Sequence, residues 1–330
     1  EELVNMLIDE GVIVAEGDGG SWQVDAQRLH SVRIPPTLTA VIQARLELLP
    51  AETRQTLQGA SVVGRNFWDS LLQAISKEDS PPAPQLALLA NQKIVNPEAI
   101  SQFAGSQEYS FNHALFQEMV YQTLLKEQRR RIHTGVARWL AQAAESSKRV
   151  EEFAALVARH YLLAQEKDPA ADWSILAGKR AISQGAYPEA RRFFDQALEL
   201  LPPADLHRRW QALLGRDEVL GVLGDASARQ ADDLALIDLA RQMGDENCLA
   251  QAYARQGYYL AITGEERLAL QAYTASDQAA RRAGNVEAQA DVLAMQVVSL
   301  THLGELEQAA SLMQAVLALL PQIGDEIIQA

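Results

Sequence analysis

The chain has 330 residues, of which 48% are hydrophobic and 6% aromatic, and its net charge is -14. Two or three domains of roughly 100–200 residues fit that length. An acidic surface repels phosphate backbones, which argues against broad nucleic-acid binding while leaving room for a local basic patch. A single cysteine, Cys248, excludes a disulfide framework and a cysteine-rich metal site. That lone cysteine suits a reducing, cytoplasmic compartment, and with no signal-peptide pattern and no apolar run of about 18 residues, no membrane contact is expected.

The chain opens on an apolar helical pattern, Leu3, Val4, Leu7 and Ile8, and closes on Ile327-Ile328-Gln329-Ala330. Both ends read as internal to a longer protein. Residues 12–16 and 21–25 flank Gly17-Asp18-Gly19-Gly20 and predict a β-hairpin. No Lys-Ser or Lys-Thr follows these glycines, so a turn is expected rather than a phosphate loop. Thr37 is placed to cap a helix with Leu38, Val41, Ile42 and Leu46 on one face, ended by Pro50. A second helix runs through Thr56, Leu57, Ala60 and Val63 to Gly64, and a third is expected from about Asn66 to Ile75. Residues 76–84 read as a loop. A short helix around Leu86–Ala90, a strand at Ile94-Val95 and a returning strand at Tyr109-Ser110-Phe111 follow. Helices followed by a two-stranded wing describe a winged-helix domain.

Such a domain can bind DNA. Its candidate recognition helix reads QLALLANQ, with only Lys93 at its end. Phosphate contacts need several Arg or Lys, so packing in the interior is the favoured role. The basic run Lys126, Arg129, Arg130 and Arg131 reads as a solvated helix face.

Two interleaved glycine series follow. Gly185, Gly224, Gly264 and Gly304 form one, and Gly244, Gly284 and Gly324 the other, each with a period of about forty residues. Asp245, Asn285 and Asp325 stand directly after the second series. One glycine would turn the first helix of a unit into the second, and the other would lead into the next unit. Glycine suits a helix end that needs positive φ, and Asp or Asn caps the helix that follows. A lone hairpin buries too little apolar surface to offset its chain entropy, so the hairpins must stack into a solenoid.

The stretch from Trp173 to Pro202 resembles a tetratricopeptide repeat through Gly178, Ala190, Phe194, Ala197 and Pro202. Phe194 is expected to fill the gap between hairpins. Arg229 occupies the phase of a small residue, which puts the packing of its hairpin in question. The resemblance implies a right-handed α-solenoid whose first helices line the concave face. By phase it places Asp172, Lys179, Gln211, Glu218, Gln251, Tyr258, Asp291 and His302 there, as contacts for a protein or peptide.

The stretches IPPTLTAVIQARLELLPAETRQTLQGASVVGRNFW and EYSFNHALFQEMVYQTLL resemble the winged-helix module of bacterial signal-transducing STAND ATPases, most of all members attached to adenylate or guanylate cyclase domains. The opening residues resemble the end of the ATPase lid. These likenesses imply three parts: residues 1–34 as lid end and hairpin, 35–147 as winged helix, and 148–330 as repeats. In that family a Met-His-Asp motif ends the winged helix, and its His approaches the phosphate of bound ADP. Asn112-His113-Ala114 stands in that place, with only His113 matching, and this departure puts the local hydrogen bonding in question.

No phosphate-binding G-x-x-x-x-G-K-[ST] loop, zinc-ligand spacing or nucleophile elbow occurs in the chain. The expectation is a mainly α regulatory or sensor arm with no catalytic residues, no metal and no cofactor of its own. ATP or ADP and an ATPase core of the same chain are implied only for the parent protein. Two other readings stay open: an interaction scaffold without nucleotide coupling, and a winged-helix DNA-binding transcriptional regulator.

Overall fold

The computed structural model describes residues 13–16, 21–24, 38–76 and 81–329. The expected opening helix, the Gly17–Gly20 turn and the Thr37 cap lie outside the described residues. The chain divides into two compact units between Ala170 and Ala171.

In the first unit, β1 (Ile13–Glu16) pairs antiparallel with β2 (Ser21–Val24), with Ile13 opposite Val24 and Glu16 opposite Ser21. The expected hairpin is therefore present. Helices α1 (Leu38–Leu48) and α2 (Ala51–Val63) follow, and Ile42, Leu46, Leu57 and Ala60 of their apolar faces are buried.

The expected helix from Asn66 is corrected. Residues Asn66–Trp68 form a strand, β3, and only Asp69–Ile75 are helical (α3). Two interactions from distant parts of the chain cause this. Asn66, Phe67 and Trp68 lie opposite Ser110, Tyr109 and Glu108 of a later strand. The carboxylate of buried Glu108 accepts from Asn66 Nδ2 at 2.8 Å and Trp68 Nε1 at 3.2 Å. Asp69 then starts the helix, its Oδ1 accepting from Ser106 Oγ at 2.7 Å and Gln107 N at 3.0 Å.

Helix α4 (Ala83–Asn91) buries Leu86 and Leu89, which is the packing role expected for that segment. Lys93 sits beyond it in a left-handed turn. Strands β4 (Val95–Pro97) and β5 (Glu108–Phe111) complete a three-stranded antiparallel sheet of order β3-β5-β4. The two strands expected here are thus joined by a third, β3.

Helices α5 (Ala114–Gln122), α6 (Lys126–Ser146) and α7 (Val150–Ala164) end the unit's core. An aromatic cluster of Trp68, Phe103, Trp139 and Phe153 joins strand, loop and helices, with neighbouring ring centroids 4.8 to 5.8 Å apart. Arg129 of the basic run donates to the carbonyl of Leu124 and lies 4.6 Å from the ring centroid of Tyr121, so part of that run holds the local turn.

The second unit is a stack of helical hairpins. They are α8 (Lys167–Ser183) with α9 (Tyr187–Leu200), α10 (Leu206–Leu223) with α11 (Ala226–Met243), α12 (Glu246–Ile262) with α13 (Glu266–Ala283), and α14 (Val286–His302) with α15 (Leu306–Gln329). Gly185, Gly224, Gly264 and Gly304 all turn within hairpins at φ between 71° and 86°. Gly244 and Gly284 turn between hairpins at 65° and 69°. Asp225, Asp245 and Asn285 cap the following helices, each side chain accepting from backbone N–H groups of the first turn. The expected turn at Gly324 is corrected: α15 runs through it to Gln329, with Pro321 inside the helix. Glycine permits a left-handed turn without compelling one.

Large side chains of the second helices fit glycines of the first. Phe194 is fully buried between Gly178 and Gly215, and Tyr273 lies against Gly257. Arg229 does not disrupt its hairpin. It is buried, its guanidinium lies over Gly221, and its Nε is 3.1 Å from Asp217 Oδ1.

Candidate functional site

The first helices of the second, third and fourth hairpins form one wall of the stack. Helical periodicity places Glu218 and Val222 of α10 one turn apart, with Gln251, Tyr258 and Ile262 of α12 and Asp291 and Met295 of α14 in matching rows. These rows line a groove of about 790 Å³. Volume on this scale suits a peptide segment or a small molecule. Four of the eight positions assigned to the concave face, Glu218, Gln251, Tyr258 and Asp291, meet here.

The other four lie elsewhere on exposed helix surface. Asp172 pairs with Arg208 at 3.2 Å, and His302 Nδ1 stands 2.7 Å from Glu266 Oε1. Lys179 and Gln211 are exposed and do not line the groove.

Beneath the groove lies a charge cluster that sequence reasoning missed. Asp217 of α10 is fully buried. Its Oδ1 takes Arg229 of α11 at 3.1 Å and its Oδ2 takes Arg255 of α12 at 2.5 Å. One carboxylate thereby joins three successive helices across two hairpins. Arg229 also faces the rings of Tyr258 and Tyr259, at 5.9 and 5.2 Å from their centroids. Arg216 bridges Asp232 at 2.6 Å and Asp195 at 2.7 Å, and this ties the first hairpin to the second.

Asp233, only 1% exposed, has no hydrogen-bond partner for either carboxylate oxygen among the described residues. Burial, and then the charge of Asp217, push its pKa up to about 7. Asp217, Asp232 and Asp233 are thus carboxylates buried between helices rather than on a solvated face. Their signal in the sequence was indirect. Arg229 at a small-residue phase required a buried counter-charge, but not a particular one.

Cys248 also lines the groove. Burial and the neighbouring Asp245 carboxylate raise its thiol to about 11, which keeps it protonated and unreactive near neutral pH. No group of three His, Cys, Asp or Glu side chains among the described residues could hold a metal ion. No helix among the described residues is long and apolar enough to cross a membrane.

In the first unit, His113 is the half-buried residue that opens α5. Its backbone is extended, its carbonyl accepts from the N–H groups of Phe116 and Gln117, and its side chain does not cap the helix. Asn112 fixes its approach. The Asn112 amide donates to the Lys93 carbonyl and accepts from Asn96, and its backbone N–H donates to Ile94.

A second buried polar group spans α5, α6 and α7. Tyr121 OH is 3.1 Å from His133 Nε2, and His133 Nδ1 is 2.9 Å from His160 Nδ1. One ring donates and the other accepts across the Nδ1 pair, so the two cannot both be protonated. Burial first lowers both pKa values, to about 4 for His133 and about 3 for His160.

No family model matches the chain. An uncharacterised protein of Rhizobium meliloti (strain 1021) is 28% identical over 198 residues, which covers 53% of this chain and 17% of that protein. The chain thus spans a small part of that relative's length. Three solved structures are similar. One is a STAND protein with a tetratricopeptide repeat sensor from Pyrococcus horikoshii, at 14% identity and TM-score 0.42, covering 98% of this chain and 49% of that one. Another is MamA from Desulfovibrio magneticus RS-1, at 15% identity and TM-score 0.45, covering 58% and 96%. The third is the apo form of RapI, at 10% identity and TM-score 0.48, covering 57% and 72%. Likeness at this level assigns no function, and the helical repeat rests on the hairpins and glycine turns of the chain itself.

Proposed function

We propose that the chain is a regulatory and sensor arm whose repeat unit binds a segment of a partner protein in the groove formed by α10, α12 and α14. The observation that carries this reading is the convergence of Glu218, Gln251, Tyr258 and Asp291 on one groove. Successive first helices offer exposed polar and aromatic side chains on a scaffold held rigid by the Asp217 bridge. A photo-reactive side chain at position 251 captures the partner, and the same group at Asp238 on α11 does not. Equal capture at both positions removes the groove from the reading.

The first unit is, in the same proposal, a winged helix that docks on an ATPase core of the parent protein. The order of α2, β3, α3, α4, β4 and β5 supports it, as does the resemblance of residues 34–68 and 108–125 to the bacterial STAND module. His113 would face the phosphate of bound ADP, and partner binding on the repeats would shift the nucleotide-controlled equilibrium through differential contacts. In a parent protein that holds the core, His113→Ala weakens ADP binding and raises basal activity. Unchanged values of both leave the scaffold reading, in which partners bind regardless of nucleotide. Sequence-dependent duplex binding by the chain at low salt would favour the DNA-binding regulator instead. The acidic charge and the buried face of α4 speak against that outcome.

A further inference from the structure

We infer that the groove selects a segment in which basic and apolar side chains are interspersed. This inference rests on the groove reading above and specifies the chemistry of its occupant. The two guanidiniums of the groove, Arg229 and Arg255, each direct Nε at one oxygen of buried Asp217, whose single negative charge leaves one positive charge on the pair. The two exposed carboxylates of the lining, Glu218 on α10 and Asp291 on α14, have no ion-pair partner among the described residues. These two carboxylates outweigh the one positive charge that Asp217 leaves on the arginine pair, so the net charge around the groove is negative.

Between those two helices, α12 contributes Tyr258, 49% exposed, and Ile262, 59% exposed. Val222 and Met295 flank them and are also exposed, which makes an apolar floor between two acidic borders. An aliphatic or aromatic side chain of the occupant covers that floor. A Lys or Arg beside it reaches Glu218 or Asp291 and lays its alkyl stem along Tyr258. An acidic segment would meet two uncompensated carboxylates at the exposed borders, with the arginines drawn toward buried Asp217.

The test uses the 330-residue chain and three short peptides of equal length, built from Leu with Lys, Leu with Ser and Leu with Glu, followed by fluorescence anisotropy. The Leu–Lys peptide binds tightest, and its affinity falls as salt rises. The Glu218→Gln, Asp291→Asn double variant loosens it about tenfold, the loss expected for charge-assisted contacts in a partly desolvated site. Glu307→Gln on α15 leaves it unchanged, which separates the groove from the general acidity of the surface. Equal binding of the Leu–Ser peptide, lost in Tyr258→Ala, overturns the basic preference and leaves the groove reading intact. Preference for the Leu–Glu peptide overturns it and assigns recognition to Arg229 and Arg255. Leu–Lys binding that ignores both the carboxylate variant and Tyr258→Ala, or no binding by any peptide, also overturns it. Capture by the photo-reactive group at position 251 then decides separately whether the groove is a docking site at all.

Discussion

The ring of Phe194 occupies the space where a side chain at Gly215 would begin: a Cβ on Gly215 would stand 2.3 Å from the ring's Cζ. Gly178 approaches the same ring from the first hairpin, where a Cβ would stand 2.7 Å away. Gly215→Ala should therefore destabilise the repeats by about 1–3 kcal/mol through overpacking. An exposed helix would instead gain roughly 1 kcal/mol from the same change. Phe194→Ala should cost about 3–5 kcal/mol. The double variant should cost less than the sum, because the added methyl enters the vacated space. Urea unfolding of the four proteins measures this, and strict additivity would contradict the packing.

Asp217 joins α10, α11 and α12 with a charge that has no access to water. Asp217→Ala leaves Arg229 and Arg255 without their counter-charge and should cost about 3–5 kcal/mol. Asp238→Ala, an exposed carboxylate on α11, should change stability by less than about 0.5 kcal/mol. Comparable losses for the two would show that the bridge contributes nothing beyond surface charge.

Asp233 makes the stability of the repeats depend on pH in an unusual direction. Its pKa in the fold is about 7, whereas an ordinary Asp titrates near 3.8, so the unfolded chain releases this proton first as pH rises. Asp233 then draws stability away between pH 4 and 7, by at most about 4 kcal/mol. Asp233→Asn should remove that slope and be more stable than the parent at pH 8. Parallel profiles for parent and variant would refute the buried, unpartnered carboxylate.

His133 and His160 act with the opposite sign in the first unit. Their pKa values in the fold lie well below 6.5, so the unfolded chain takes up protons first as pH falls. Their contribution is complete above pH 6.5 and is lost progressively below it, by roughly 3 kcal/mol for His133 by pH 4. His133→Gln should flatten this acid limb. The Asp233 and histidine windows overlap and oppose, so each is read from the difference between variant and parent.

Much of the repeat was legible because helix ends carry local chemistry. Glycine at positive φ and Asp or Asn at the cap mark the turns at Gly224, Gly244 and Gly284 without reference to distant residues. The strand at Asn66–Trp68 was not legible, because its pairing partner lies some forty residues away and local pattern there also suits a helix. Phase placed eight side chains on the first helices, but four of them line the groove while Asp172 and His302 are engaged with Arg208 and Glu266. Helical phase gives direction around one axis only, and the neighbouring helices decide which rows meet.

By itself, the sequence determined the helical character, the forty-residue hairpin period and the pairing of Phe194 with small residues, since each follows from propensity, capping or side-chain volume. Only the tertiary structure decided that Asp217 takes both Arg229 and Arg255, that Asp233 finds no hydrogen-bond partner among the described residues, and that Glu218 and Asp291 meet at one groove. Those are properties of side chains brought together from separate helices in a low-dielectric interior, where a charge is set by its neighbours in space.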